Sequence, residues 1–274
     1  MLKYEKFEIN NRLHINSIYT FFTKTYKPDF YFDGESHNFW EVVFVIGGTI
    51  GITAGNKVFY LHSGQAFFHK PMEFHQIWAE PGKNPCVFII SFAAENMPEI
   101  KHSVYNLPEN LTDNITFIYD DAKEIFDFSS MKYITDNKQN NLKMQMITNR
   151  IEMLLLNIIY ADDTASNKIT SQSVSSYARI ISILDKNISK RLTLEEIASL
   201  CNMSVSSLKK NFSKYSQTGI IKYFNLMKIN RAKALLMAGK SVKETANMLG
   251  FEDQNYFSTM FKRLTNQSPG TYKP

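Results

Sequence analysis

His37, Phe39 and Glu41 alternate along one stretch of the chain, so on a strand all three side chains share a face. His75 and Trp78 lie in a second apolar stretch farther along. Two imidazoles and a carboxylate are a ligand set suited to non-haem iron. The same groups equally suit a small polar organic ligand, held by hydrogen bonds and ring stacking. A second chemistry sits near the other end. Ser206, Ser207, Lys209 and Lys210 crowd one short segment, and Gln254, Asn255, Ser258 and Thr259 crowd another. Lysine donates to guanine O6 and N7, and Asn or Gln pairs bidentately with adenine. Lys214, Lys262 and Arg263 lie just beyond these residues and suit phosphate neutralisation. Any one of these lysines is as well read as a solvated surface charge. The set, occurring twice, points to nucleic acid.

Charge partition agrees. Residues 175–274 hold 16 Lys and Arg against 6 Asp and Glu, a net +10, whereas residues 1–174 hold 15 against 20, a net −5. A polyanion partner for one domain only is the simplest source of such asymmetry. The 274 residues have room for one large or two ordinary domains, and 44% hydrophobic with 21% charged residues excludes wholesale disorder. Cys86 and Cys201 lie far apart, which argues against a disulfide framework or zinc cluster and for a reducing cytosol. The start, MLKYEKFEINNRLHINS, lacks the apolar run of a signal peptide, and the longest apolar helix segment, MLLLNIIY, is too short to span a bilayer. A cytoplasmic protein with no membrane partner is expected.

The elements that must position these residues differ along the chain. FWEVVFVI, GITA, KVFYL, QAFFHK, HQIWAE and CVFIISF, between 39 and 92, are short, β-branched and aromatic, with a hairpin at Ala54-Gly55-Asn56-Lys57. Strands at this spacing predict an all-β barrel or sandwich. Phe39, Phe44, Phe67, Phe68, Trp78, Phe88 and Phe92 supply most of its rings, which are mostly ordinary core. From about 121 the pattern turns helical. Ile147, Ile151, Leu154, Leu155 and Ile158 form one apolar stripe, and Met153, Leu156 and Tyr160 widen it to a second face. A helix apolar on two faces has one to spare for a partner subunit, and the stripe Ile147 to Ile158 is taken as the dimer surface. The polar, aperiodic run at 162–174 reads as a linker, so the domains are 1–161 and 175–274.

The second domain contains a duplication. Thr193-Leu-Glu-Glu196 and Ser241-Val-Lys-Glu244 are capping boxes 48 residues apart. Ala198 and Ala246 follow at equal distance, as do Asn202 and Gly250, which suit the left-handed turn that ends a helix. Ser204 and Asp253 then cap second helices pinned by Leu208 and Phe212, or by Phe257 and Phe261. Each unit is a helix-turn-helix, and residues 220–239 join them as one helix ended by Gly239, with Ile220, Tyr223, Phe224, Met227, Arg231, Ala234, Leu235 and Ala238 along one face. A plain helical bundle is the competing reading, and the duplication together with the +10 charge disfavours it.

Residues 241–273, SVKETANMLGFEDQNYFSTMFKRLTNQSPGTYK, resemble the recurring pattern of the AraC (arabinose-regulator) family, and TLEEIASLCNMSVSSLKKNFSKYSQTGIIKYF resembles its first unit. Asn266 stands where Gly is usual, Lys273 replaces a final Arg, and Thr259 sits where many members carry a base-reading Arg. His37, Glu41, Gly47, Gly64, Pro71 and His75 similarly resemble the cupin-like barrel common in that family. The resemblance implies an α+β multidomain chain: a cupin-like barrel with following helices, then an all-α double helix-turn-helix domain. It implies a sequence-specific transcription regulator, by preference an activator, that is not an enzyme and has no catalytic residue. Implied partners are double-stranded DNA, a small-molecule effector such as a sugar, a second copy of the chain and RNA polymerase. Each chain would read two major-groove segments about 34 Å apart. Metal cupins carry a second His two residues after the first, and here that place is Phe39, so an effector site of His37, Phe39, Glu41, His75 and Trp78 with no metal or cofactor is expected. A constitutive DNA-binding protein whose barrel only dimerises, and a metal-dependent cupin enzyme, are the alternatives.

Overall fold

The computed structural model describes residues 6, 8, 10, 12–107, 111–127, 132–133, 138–161 and 172–272. Eight strands build the first domain: β1 (His14–Thr25), β2 (Trp40–Gly47), β3 (Thr49–Ala54), β4 (Lys57–His62), β5 (Gln65–His69), β6 (His75–Ala79), β7 (Cys86–Glu95) and β8 (Val104–Asn106). They form a five-stranded sheet, β1-β7-β2-β5-β8, facing a three-stranded sheet, β4-β3-β6. Every pairing among these strands is antiparallel. Ala54 pairs with Lys57, leaving Gly55-Asn56 as a two-residue turn with Gly55 at φ 55°, the glycine-first arrangement of a tight hairpin. Helix α1 (Leu111–Lys123), a small ribbon of β9 (Phe126–Asp127) and β10 (Lys132–Tyr133), and helix α2 (Lys138–Ala161) follow.

Strand alternation divides the barrel's side chains between three layers. Val43, Val45, Ile50, Ile52, Phe67, Ile77, Val87 and Ile89 point between the sheets and fill the interior. On the back of the larger sheet, Val42, Phe44, Phe68, Phe88, Ile90 and Phe92 pack against α1 and α2. Ile147, Ile151, Leu154, Leu155 and Ile158 lie in that same core, each at most 3% exposed. This corrects the expected dimer surface, because the larger sheet's back needs an apolar cover and α2 supplies its most continuous stripe. The face that α2 turns to solvent carries Leu142, Met146, Met153, Leu156 and Tyr160.

The second domain comprises α3 (Gln172–Lys186), α4 (Leu194–Leu200), α5 (Val205–Phe212), α6 (Ile220–Met237), α7 (Val242–Met248) and α8 (Gln254–Thr265). Of the expected linker, 162–171 lie outside the described residues, and 172–174 open α3. The first half of α6 belongs to the core of the first unit through Tyr223, Phe224 and Met227, and its second half to that of the second unit through Ile229, Ala232 and Leu236. Its buried residues therefore run around the helix, and Arg231 and Ala238, expected on the apolar face, are exposed.

The two domains share a seam. The back of the smaller sheet contributes Val58, Phe74 and Trp78 to the core that holds Tyr177, Phe212, Tyr215 and Tyr223. Polar bonds frame it: Tyr31 Oη donates to Ser216 Oγ at 3.1 Å, Asn56 Nδ2 to Asp185 Oδ2 at 3.0 Å, and Ser36 Oγ to Asn230 Oδ1 at 2.7 Å.

Candidate functional site

Each helix-turn-helix is built from its caps outward. Thr193 and Ser241 each accept the backbone N–H of the Glu three residues on, and that Glu returns a carboxylate to the cap residue's own amide. The first helix of each unit ends at a left-handed residue, Asn202 at φ 53° or Gly250 at φ 70°. At Gly250 glycine is needed twice over, because an added Cβ would lie 2.1 Å from the Ser189 carbonyl oxygen. Ser204 then caps α5 and Asp253 caps α8.

Leu208 and Phe212, and in the second unit Phe257, Met260 and Phe261, face inward. Consequently Ser206, Lys209, Lys210, Gln254, Asn255 and Thr259 are exposed on the opposite side of their helices, with Lys214, Lys262 and Arg263 exposed beyond them. Ser207 and Ser258 are half-buried and locally engaged. Ser258 Oγ donates to Gln254 O at 2.9 Å, and Asn211 Nδ2 donates to Ser207 O at 3.0 Å. Tyr256, 57% exposed on α8, was not anticipated, since an aromatic beside Phe257 reads from sequence as core.

Lys228 is a second residue that no pattern along the chain singles out. It is buried in α6, and its Nζ donates at 2.7 Å to Lys190 O, ahead of the first unit, and at 2.7 Å to Leu249 O, at the end of α7. The ammonium also lies 5.0 Å from the Phe224 ring and 5.2 Å from that of Phe251. Burial pulls its pKa from 10.5 down to about 8. One ammonium thus ties both units to the helix that joins them.

At one end of the barrel, four of the five expected effector residues come together. Glu41 pairs across the sheet with His69 on β5 and Ser91 on β7, so period-two geometry turns all three inward side by side. Ser91 Oγ donates to Glu41 Oε2 at 2.7 Å. His75 Nε2 lies 3.4 Å from Glu41 Oε1, and His37 Nε2 lies 3.8 Å from Glu41 Oε2. Phe39 stacks on His37 at 3.8 Å between centroids and on Tyr19 at 3.9 Å, making a ring ladder from the surface to the carboxylate. His69 stacks on His75 at 4.1 Å. Burial pushes the Glu41 carboxyl up, but hydrogen bonding and charge from His75, then His69 and Ser91, outweigh it and hold it below its ordinary value. His75 is the counterpart: burial pushes it down, and Glu41 raises it above its ordinary value. His69, wholly buried, is driven far down by desolvation.

Trp78 does not belong to this group. It lies in the seam, with Tyr177 at 5.7 Å and Tyr215 at 6.1 Å between ring centroids. Its distance of three residues from His75 gives it opposite strand parity, so when His75 points in, Trp78 must point out. Glu35, His69 and Ser91 are the members that sequence reasoning missed, because cross-strand register and a backbone bridge between Glu35 and His75 bring them there.

Residues 18–116 match the family model of the AraC-like ligand-binding domain, and residues 197–274 match a helix-turn-helix domain model. The chain belongs to the AraC family. The barrel is accordingly that family's ligand-binding domain and the helical region its helix-turn-helix domain. Among its relatives are the bifunctional transcriptional activator/DNA repair enzyme AdaA of Bacillus subtilis, 30% identical over 34% of this chain and 45% of that protein. The transcriptional activator RhaR of Mannheimia succiniciproducens is 26% identical over 50% of each chain. The raffinose operon regulatory protein RafR of Pediococcus pentosaceus is 28% identical over 57% of this chain and 54% of its own. The chain therefore spans about half the length of these relatives. Among the described residues, no helix is long and apolar enough to cross a membrane.

Proposed function

We propose that this AraC-family chain is a cytoplasmic, sequence-specific DNA-binding regulator of transcription whose barrel senses a small polar molecule. The observation that carries the reading is the repeated cap-turn-cap geometry, which leaves two sets of uncommitted polar and cationic side chains on the outer faces of α5 and α8. Lys209 and Lys210 suit guanine edges, Gln254 and Asn255 suit adenine, and Ser206, Ser207, Ser258 and Thr259 line the same faces. Lys214, Lys262 and Arg263 neutralise phosphates. Lys228 fixes the spacing of the two heads, in keeping with half-motifs one helical turn apart.

The effector enters at the barrel end bearing His37, Phe39, Glu41 and His75, where a carboxylate, imidazoles and stacked rings suit a polyhydroxylated ligand such as a sugar. It signals through the seam, since Ser36, next to His37, donates to Asn230 on α6. Activation, with RNA polymerase as partner, is the sign of regulation assigned by likeness to RhaR. Dimerisation uses the outer face of α2, where Leu142, Met146, Met153, Leu156 and Tyr160 form an apolar surface that the fold leaves uncovered. Selection of binding sites from genomic DNA by the purified full chain at moderate salt tests the reading. Recovered fragments should share two short motifs about 10 base pairs apart. Uniform binding that disappears with added salt would mean a phosphate binder without base readout.

A further inference from the structure

Four side chains at the barrel end converge in a way that a hydrogen-bonded ligand site does not require. Glu35, His37, Glu41 and His75 each offer one ligand atom, and those atoms all lie within 4.8 Å of one another. Orientation is the more telling fact. His37 Nδ1 lies 2.9 Å from the Phe39 carbonyl oxygen and His75 Nδ1 lies 3.0 Å from that of Glu73. A carbonyl only accepts, so each Nδ1 carries a proton and each ring turns its Nε2 inward, the atom that is a lone-pair donor whenever the ring is neutral. Those two Nε2 atoms are buried without a well-aligned hydrogen bond, Glu41 being their nearest charged neighbour, and His75 is itself only 3% exposed. Both face the acceptor oxygens of Glu41.

A carboxylate facing two Nε2 atoms is balanced by a cation, either a proton on His75 or a metal ion that displaces it. Nδ1–H held by a backbone carbonyl with Nε2 left free is also how metal-binding histidines are commonly oriented. Spacing fits. Ligands about 2.0–2.1 Å from a tetrahedral ion lie roughly 3.3–3.4 Å apart. The separations from Glu41 oxygens to His75 Nε2 and His37 Nε2 are 3.4 and 3.8 Å, which small rotations close. The fourth donor, Glu35, is held in place by reciprocal backbone bonds to His75: Glu35 N to His75 O at 3.0 Å and His75 N to Glu35 O at 2.9 Å.

We propose that Glu35, His37, Glu41 and His75 bind one divalent first-row transition-metal ion. Two imidazoles and two carboxylates without a thiolate suit zinc, iron(II), cobalt(II) or manganese(II) and disfavour copper(I). Glu35 supplies the fourth donor, so the set is complete without a ligand at Phe39. Glu35 and His37 flank Ser36, whose side chain donates to Asn230 on α6. The ion therefore sits one residue from the seam and fixes the segment that touches the linker helix. This site shares residues with the proposed effector pocket, and rests on that reading only for its consequence at the seam.

The test is titration of the chelator-treated full chain with cobalt(II), followed by visible absorption and calorimetry, with zinc competition as a second readout. One equivalent per chain should bind with d–d bands that zinc abolishes. His37→Asn and His75→Asn should each abolish the bands. Glu35→Gln, at an exposed position where folding is not at stake, should weaken binding at least tenfold. His62→Asn, at an exposed histidine on β4, should change nothing. No stoichiometric uptake of cobalt, zinc, iron(II) or manganese would overturn the site, and the cluster would then be a Glu41–His75 ion pair. Uptake undiminished in both Glu35→Gln and His37→Asn would overturn it equally. No DNA enters the titration, so its failure and a failure of DNA binding are separate results.

Discussion

Replacing Lys228 by Met tests whether one buried ammonium holds the two helix-turn-helix units in register. Methionine keeps the unbranched stem and close to the volume, so packing against Phe224 and Phe251 persists and no cavity opens. What disappears is a pair of 2.7 Å bonds to the carbonyls of Lys190 and Leu249. A bond from a charged donor contributes about 1.5–3 kcal/mol, and the stranded carbonyls lose their partner. Against this stands the cost of burying the ammonium, visible in the fall of its pKa to about 8. The two effects leave an expected net loss of about 1–3 kcal/mol at neutral pH. Urea unfolding of the full chain, followed by far-UV circular dichroism, would read it as a lower midpoint. The pH dependence has a definite sign. Between about 8 and 10.5 the unfolded lysine keeps a proton that the folded one has lost, so wild-type stability should rise with pH across that window. The variant lacks this rise, and the gap between the two proteins should widen. Equal stability at neutral pH together with a constant gap across the window would refute the clamp.

Other substitutions probe the remaining claims. Lys210→Ala should relax base choice under the first head, whereas Lys262→Ala should weaken all sequences alike and lower the salt slope by about one, both read by binding titrations over a salt series. Gly51→Ala should loosen the seam by about 1–3 kcal/mol, because an added Cβ would lie 2.1 Å from Trp78 Cε2; an unshifted midpoint with unaltered tryptophan fluorescence would argue against the tight packing. Met153→Glu on the outer face of α2 should convert a dimer to a monomer in light scattering without lowering the melting temperature, since Met153 is 63% exposed. Ser241→Ala should cost about 0.5–2 kcal/mol through loss of the capping box, measurable by thermal unfolding.

The helix-turn-helix units could be read from the sequence almost residue by residue. Their determinants are local: a hydroxyl three residues before a glutamate, a residue tolerant of the left-handed turn, and apolar residues four apart. The strands from 40 to 92 were similarly legible from alternation and turn residues. β1 is not, since its two register irregularities against β7 break the period-two pattern, and α1 lies mostly ahead of residue 121, from which the chain reads as helical.

Sequence by itself therefore determined the two-domain plan, the duplicated heads and the segregation of charge. The shared strand face expected for His37, Phe39 and Glu41 does not form, because His37 and Phe39 lie ahead of β2 and only Glu41 is on it. Tertiary structure decided what no spacing along the chain contains. Cross-strand register set His69 and Ser91 beside Glu41, and a backbone bridge brought Glu35 to His75. Docking of the domains claimed Trp78 for the seam. The apolar stripe of α2 went to its own sheet, leaving the opposite face for solvent. The physical reason is the same in each case. Caps and turns are satisfied within a few residues, whereas the partner of a buried side chain is chosen by which surfaces the whole fold must keep from water.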